Sequence, residues 1–245
     1  MLNRSNLFEP LKSKRTFEQI ADQMRQLIYS GTFKPGDRLM SERELANQFR
    51  TGRMVVREAL RTLENSGLIR IKQGSSGGVF INDANTKVIT RSISDMIKIG
   101  NVTLRELIET RLEIEMIILN FAIARINPED LDLLKKNIED SEQQILAGIR
   151  PLETNLNFHL LLAKASKNTL FEMIIESIME VSKIFLQSVK PEKEYINKVL
   201  YYHKEIYKAI KEKNLIIAEE KMREHLLGDN LLLLHVSECG VNKRE

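Results

Sequence analysis

Ser41-Glu42-Arg43-Glu44-Leu45-Ala46 is followed, after a short gap, by Gly52-Arg53-Met54-Val55-Val56-Arg57-Glu58-Ala59-Leu60-Arg61, then Leu63-Glu64, Gly67-Leu68-Ile69 and Gly74-Ser75-Ser76-Gly77-Gly78. Ser41 with Glu44 three positions on has the form of a capping box, so a short helix starts there. Leu45, Ala46 and Phe49 give it an apolar face. Residues 50–52 interrupt it, and Gly52 is expected to permit the turn. A second helix is predicted from Arg53 to Ser66, with Val56, Ala59, Leu60 and Leu63 at helical spacing on its inner side. Arg53, Arg57 and Arg61 recur every four residues and share the opposite side. Gly67 stops this helix. Leu68 to Lys72 and Val79 to Asn82 read as two strands, joined by a glycine-rich tip that can lie against a sugar-phosphate backbone. Upstream, Thr16-x-x-Gln19 opens another helix through Ser30, and Pro35-Gly36-Asp37 is a turn.

Three helices followed by a β-ribbon is the plan of a winged helix-turn-helix. Its second helix begins with arginines. That location can place a helix N-terminus and guanidinium groups in a major groove, against phosphates and guanine edges. The competing reading is a solvated helix face.

Charge is distributed to match. Residues 1–85 hold 14 Lys+Arg and 9 Asp+Glu, a net of +5, and the remainder holds 23 and 25, a net of −2. The basic excess lies where DNA is expected. The chain of 245 residues is long enough for two small domains. A single cysteine, Cys239, fits a reducing cytoplasm, and no signal peptide or membrane-spanning apolar run is expected. The expected division is a DNA-binding domain at 10–82, a short polar linker at 83–87, and an all-helical domain at 88–237.

That second domain reads as an antiparallel bundle of six to seven helices, so the fold class is mainly α. Thr103-x-x-Glu106 opens a long helix to Ile126, and Asn127-Pro128 stops it and starts the next, which ends near Gly148. Further helices are predicted from Pro151 to Ser166, from Thr169-x-x-Glu172 to before Pro191, from Glu192 to Lys213, and after an Asn214 cap. One more is expected near Thr86 to Ile99.

Three of four histidines lie suggestively in this bundle. Asn155 and His159 are four apart on one helix and share a face. His203 and His225 lie on two later helices. Three imidazoles converging from three helices could hold a divalent metal, with an oxygen donor from Asn155 or a ligand. Equally, histidines among leucines are often hydrogen-bonded core residues. Arg111, mid-helix among carboxylates, has two readings as well. It forms a helix-surface salt bridge with Glu115, or it faces the bundle cavity and pairs with an effector carboxylate. His235 is assigned no role.

The N-terminal segment resembles the DNA-binding domain of the GntR family of bacterial transcription regulators. The match runs through Ser41, Glu42, Arg43, Glu44, Leu45, Ala46, Arg53, Val56, Arg57, Glu58, Ala59, Leu60, Leu63, Glu64, Gly67 and Leu68. It implies that Arg43, Arg53, Arg57 and the wing-tip Gly74 touch DNA, with Met54, Val55 and Gln73 on the same surface. Met40 stands where proline is usual, Gly52 replaces a serine or threonine cap, and Met54 and Val55 replace small polar residues. The lost hydroxyls leave fewer polar DNA contacts, so no operator sequence is carried over.

The helical domain is similar to the FCD effector domain of the FadR-like branch of that family, matching at Asn155, Phe158-His159, His203 and His225. The resemblance implies a divalent metal (zinc, nickel or manganese) held by Asn155, His159, His203 and His225, with a small organic acid completing the coordination. Aspartate is more usual at 155; asparagine leaves the site one negative charge short. Together the two resemblances imply a sequence-specific, effector-responsive regulator, a repressor acting as a homodimer on a near-palindromic double-stranded operator. The alternatives are a regulator of a larger non-metal ligand such as an acyl-CoA, and a metal-dependent hydrolase fused to a DNA-binding module. The latter lacks the glutamate-containing zinc motif with two histidines four apart.

Overall fold

The computed structural model describes residues 15–74, 77–82, 86–187 and 189–241, the stretch from 229 onward as backbone only. Ser75 and Ser76 of the expected wing tip, most of the expected linker, and the side chains of His235 and Cys239 lie outside the described residues. The chain divides into two compact units, Met1–Val88 and Ile89–Glu245.

The first unit contains α1 (Thr16–Tyr29), α2 (Glu42–Gln48), α3 (Arg53–Asn65), β1 (Ile69–Lys72) and β2 (Gly78–Ile81). The strands form an antiparallel ribbon in which Ile69 faces Ile81 and Lys72 faces Gly78. Arg38 bridges to Phe80 on its edge. Ile20, Met24, Leu45, Val56, Leu60, Leu63, Ile69 and Ile81 close one apolar core beneath the helices and ribbon. This is the expected winged helix-turn-helix. The capping box is in place: Ser41 N–H donates to the Glu44 carboxylate at 2.8 Å, and Glu44 N–H donates to Ser41 Oγ at 3.3 Å.

Two local expectations are corrected. α1 starts at Arg15, whose N–H donates to the Glu18 carboxylate at 3.0 Å, so Glu18 rather than Gln19 closes the first turn. Charge makes Glu18 the stronger acceptor for an orphan helix donor. Nor is Gly52 the residue that turns the chain. Its φ is −74°, ordinary for any N-cap, while Arg50 takes the left-handed conformation at φ +46°.

The remaining helices are α4 (Lys87–Lys98), α5 (Leu104–Arg125), α6 (Pro128–Leu146), α7 (Leu152–Ala165), α8 (Thr169–Leu186), α9 (Lys193–Lys211) and α10 (Leu215–Val241). That makes seven among the described residues. Thr103 and Asn127 cap α5 and α6 as read, accepting the N–H of Glu106 at 3.2 Å and of Asp130 at 2.9 Å. α8 is capped by Asn168 rather than Thr169, because its amide oxygen takes both Leu170 N–H (3.0 Å) and Phe171 N–H (3.4 Å).

α7 is the organising helix of the second unit. It packs against α5, α6 and α8 and buries Leu156, Phe158, His159, Leu162, Ala163 and Ala165. A helix apolar on more than one side must lie inside a bundle rather than on it. Two apolar clusters flank it, one reaching α9 and α10, the other α8. His159 therefore sits where α7 meets α5, α9 and α10. Among the described residues no helix is long and apolar enough to cross a membrane.

Candidate functional site

The first unit presents its polar edge at α2, α3 and the ribbon tip. Arg43 and Arg53 are exposed, and Met54 is 71% exposed. Val55 instead packs on the edge of the core. Arg57 is tied to Glu42, with Nε at 3.1 and 3.2 Å and Nη2 at 2.8 Å from the carboxylate oxygens. This bond pins α2 to α3 and lowers the Glu42 carboxyl below its ordinary range. The pair is solvent-screened and contributes little to stability, so Arg57 is able to exchange Glu42 for a phosphate.

Gln73 and Gly74 are exposed at the tip, and Gly74 has φ +101°, which favours glycine. Sequence reasoning passed over Arg38. Its Nη2 donates to Gly77 O at 2.7 Å, and a Cβ at Gly78 would meet its Nε at 2.8 Å. Arg38 thus braces the wing from the turn before α2. Arg53→Ala should weaken operator binding by about 1–3 kcal/mol and reduce the slope of log K against log salt by about one. Unchanged affinity and slope in a salt-dependent anisotropy titration would remove Arg53 from the interface.

The second unit brings the three histidines together. His159 on α7, His203 on α9 and His225 on α10 are each buried to 3% exposure or less. Their ligand-capable nitrogens lie within 4.8 Å of one another. His225 Nε2 is 3.2 Å from His203 Nε2 and 3.2 Å from His159 Nε2. His203 stacks on Phe158 (centroids 4.0 Å, 12° between planes), which fixes its ring plane. Burial, with the neighbouring His225, His159 and Arg111, pushes His203 well below the usual imidazole range, so it stays neutral with a lone pair to offer.

Arg111 and Glu115 on α5 stand behind this cluster, 1% and 3% exposed. Arg111 Nε donates to Glu115 Oε1 at 2.6 Å, the other carboxylate oxygen contacts His159 Nδ1, and Arg111 Nη2 reaches His159 Nε2 at 3.2 Å. The two sequence readings of Arg111 are thus partly combined: the partner is Glu115, but the pair is inside the bundle. Burial pushes the Glu115 carboxyl up, His159 and Arg111 beside it pull it down further, and the outcome is about 2. Sequence reasoning assigned Glu115 no part in the site.

Asn155 lies one turn before His159. It shares the lining of a cavity of about 40 Å³ with all three histidines, and its Oδ1 accepts Ser141 Oγ–H at 3.0 Å. A water needs ~10–15 Å³ on this measure, so the space suits an ion with one or two small ligands. The arginine on the cavity wall is Arg150, whose Nη1 donates to Leu186 O (3.0 Å) and Val189 O (2.7 Å) at the end of α8. Tetrahedral zinc with nitrogen ligands at 2.0–2.1 Å separates them by ~3.3 Å. The 3.2 Å spacings fit that edge, so the donor set suits a divalent ion.

Comparison with known proteins follows the same division. Residues 16–80 match the bacterial regulatory proteins of the gntR family, and residues 106–228 match the FCD domain. The chain is 30% identical to the HTH-type transcriptional regulator YcbG of Bacillus subtilis, over 89% of this chain and 90% of that one. It is 29% identical to LutR of the same organism, over 82% and 93%, and 29% identical to the HTH-type transcriptional repressor NanR of Citrobacter rodentium, over 92% and 88%. Among solved structures, a GntR protein of Streptococcus agalactiae superposes with a TM-score of 0.66 at 29% identity, covering 87% of this chain and 98% of that one. With a recognition helix and wing in one unit and a histidine-lined cavity in the other, the chain belongs to the GntR family of transcriptional regulators, as a member carrying an FCD effector-binding domain.

Proposed function

We propose that this protein is a metal-dependent repressor that leaves its operator when a small carboxylate binds. His159, His203 and His225, with Asn155 as a weaker oxygen donor, hold a divalent ion, and a carboxylate of the effector fills the open coordination position. The observation that carries this reading is that His225 Nε2 lies 3.2 Å from both His203 Nε2 and His159 Nε2, with the ligand-capable nitrogens of all three histidines within 4.8 Å of one another. Among zinc, nickel and manganese, an imidazole-dominated set suits the first two better.

Charge supports an anionic effector. Glu115 and Arg111 offset each other, Asn155 is neutral, and a divalent ion adds two positive charges to a buried site. An incoming carboxylate reduces that excess, and Arg150 on the wall offers a further partner. The small cavity favours a short acid over an acyl thioester. The NanR relatives are named as repressors, which supports that output.

A homodimer on a near-palindromic operator follows from the few base pairs one recognition helix reads. An apolar strip on α5 and α8 suits the dimer surface: Ile117 is 48% and Phe121 37% exposed, and Phe121 lies against Phe171 at 5.5 Å between centroids. Effector and operator then favour different placements of the paired DNA-binding units, so each weakens the other by the same factor.

The test uses an operator selected from random DNA by the purified protein. In the zinc-loaded protein, at least one carboxylate of two to six carbons should weaken operator binding by about 5–150-fold, and chelation should abolish the effect. Equal action with and without metal would overturn the metal's part in the reading, and no response to any carboxylate would overturn the effector class.

A further inference from the structure

We propose that Glu115 is the positioning residue of the histidine cluster, fixing the tautomer and ring orientation of His159 with Arg111 as its brace. This rests on the metal reading above and adds to it a residue on a helix that contributes no ligand. The geometry decides the tautomer twice. A guanidinium nitrogen can only donate, so the His159 Nε2 that meets Arg111 Nη2 at 3.2 Å must be an acceptor. The proton of the neutral ring is then on Nδ1, where the Glu115 carboxylate accepts it. The single in-plane lone pair of Nε2 is therefore engaged by Arg111, and an ion bound at Nε2 takes the place of that contact; His225 Nε2 lies 3.2 Å away, on a ring stacked against His159.

Free imidazole has no such commitment, and a buried ring with the wrong tautomer presents a proton where a cation should sit. His203 provides the contrast. Its Nδ1 has no hydrogen-bond partner among the described residues, and its ring is held by the Phe158 stack and by the Nε2 contact with His225. The cluster is therefore asymmetric, with His159 preset and His203 oriented only in plane. Arg111 keeps Glu115 in register through the 2.6 Å bond one helical turn away.

The experiment compares wild type with Glu115→Gln, with Glu115→Leu, and with the double variant Arg111→Leu/Glu115→Leu. The double variant removes the buried pair without leaving a lone charge, so it remains informative where Glu115→Leu fails to fold. Two readouts are taken. Zinc affinity, by competition with a chromophoric chelator, should fall about 10–100-fold in the double variant and less in Glu115→Gln, which retains a carbonyl acceptor. Two-bond proton–nitrogen correlation spectra of the zinc-free protein should show His159 with its proton on Nδ1 in wild type and on Nε2, or exchanging, in the double variant.

A His159 proton that stays on Nδ1 in the folded double variant overturns the proposal, as does wild-type zinc affinity there. Failure of the metal reading has a different signature. The wild type then binds no zinc, while the spectra still report whether Glu115 sets the tautomer.

Discussion

His225→Ala should abolish stoichiometric metal binding. Prepared with zinc and without chelator, the wild type should carry about one ion per chain, one for each set of three imidazoles. His225 is the choice because its Nε2 is the atom shared by both 3.2 Å contacts, so its loss leaves His159 and His203 without the donor between them. The drop in affinity should exceed the ~10–100-fold expected of an outer-shell change, which separates a ligand from a positioning residue such as Glu115. Metal should also stabilise the wild type. An ion present at a thousand times its dissociation constant adds about 4 kcal/mol to any state that alone binds it. His225→Ala should show the same thermal midpoint with and without zinc. Elemental analysis and melting curves by far-ultraviolet circular dichroism, chosen because the chain has no tryptophan, read both effects. Retention of a full equivalent of zinc by a folded His225→Ala protein would take the histidines out of the metal site.

The DNA-binding fold was legible because its signals are local. A capping box, an arginine at every fourth position and a glycine stop each act within one or two turns. The helix starts at Thr16 and Thr169 were read one residue late for the same reason that they were read at all. Several polar residues cluster at each start, and the one that wins is the stronger partner for the orphan amides: the Glu18 carboxylate, and the Asn168 amide oxygen that reaches two of them. Convergence of the histidines depends on how α7, α9 and α10 pack, which spacing leaves open.

Arg111 and Glu115 carried a signal that was overlooked. On α5, Leu104, Leu107, Ile108, Ile118, Leu119 and Ala122 form the buried stripe, and positions 111 and 115 fall on it at helical spacing. Charged neighbours at Glu109 and Glu113 disguise this, because a run of alternating charge suggests a wet surface. Two ionisable residues on an apolar stripe, four apart and of opposite sign, are the mark of a buried pair.

The cost of breaking that pair is the second large effect. Arg111→Met, with Glu115 retained, should destabilise the effector unit by about 3–5 kcal/mol, because it takes the guanidinium away from a carboxylate at 3% exposure and leaves it His159 Nδ1. The double change to apolar residues, Arg111→Leu/Glu115→Leu, should cost much less, since the buried pair's desolvation offsets most of its attraction. The difference between the single and double variants, read from urea midpoints of the effector-unit transition, is the diagnostic quantity. Similar losses in both would mean that Arg111 contributes packing rather than charge.

Acid titration gives the same pair a sign. The folded Glu115 carboxyl at about 2 lies below its ordinary 4.5. The unfolded chain therefore takes up a proton first, and Glu115's contribution is intact above 4.5 and lost as pH falls towards 2. His203, held below 6.5 by burial, acts in the same direction from a higher start. Its contribution is complete above 6.5 and declines below it, because the unfolded imidazole protonates while the buried one does not. Wild-type stability should thus fall in two stages on acidification, the first below 6.5 and the second below 4.5. Arg111→Met removes the guanidinium that helps hold Glu115 down, so the second stage should be smaller and should end at a higher pH than in the wild type. An unchanged acid limb in that variant would show that Arg111 does not hold the Glu115 carboxyl down.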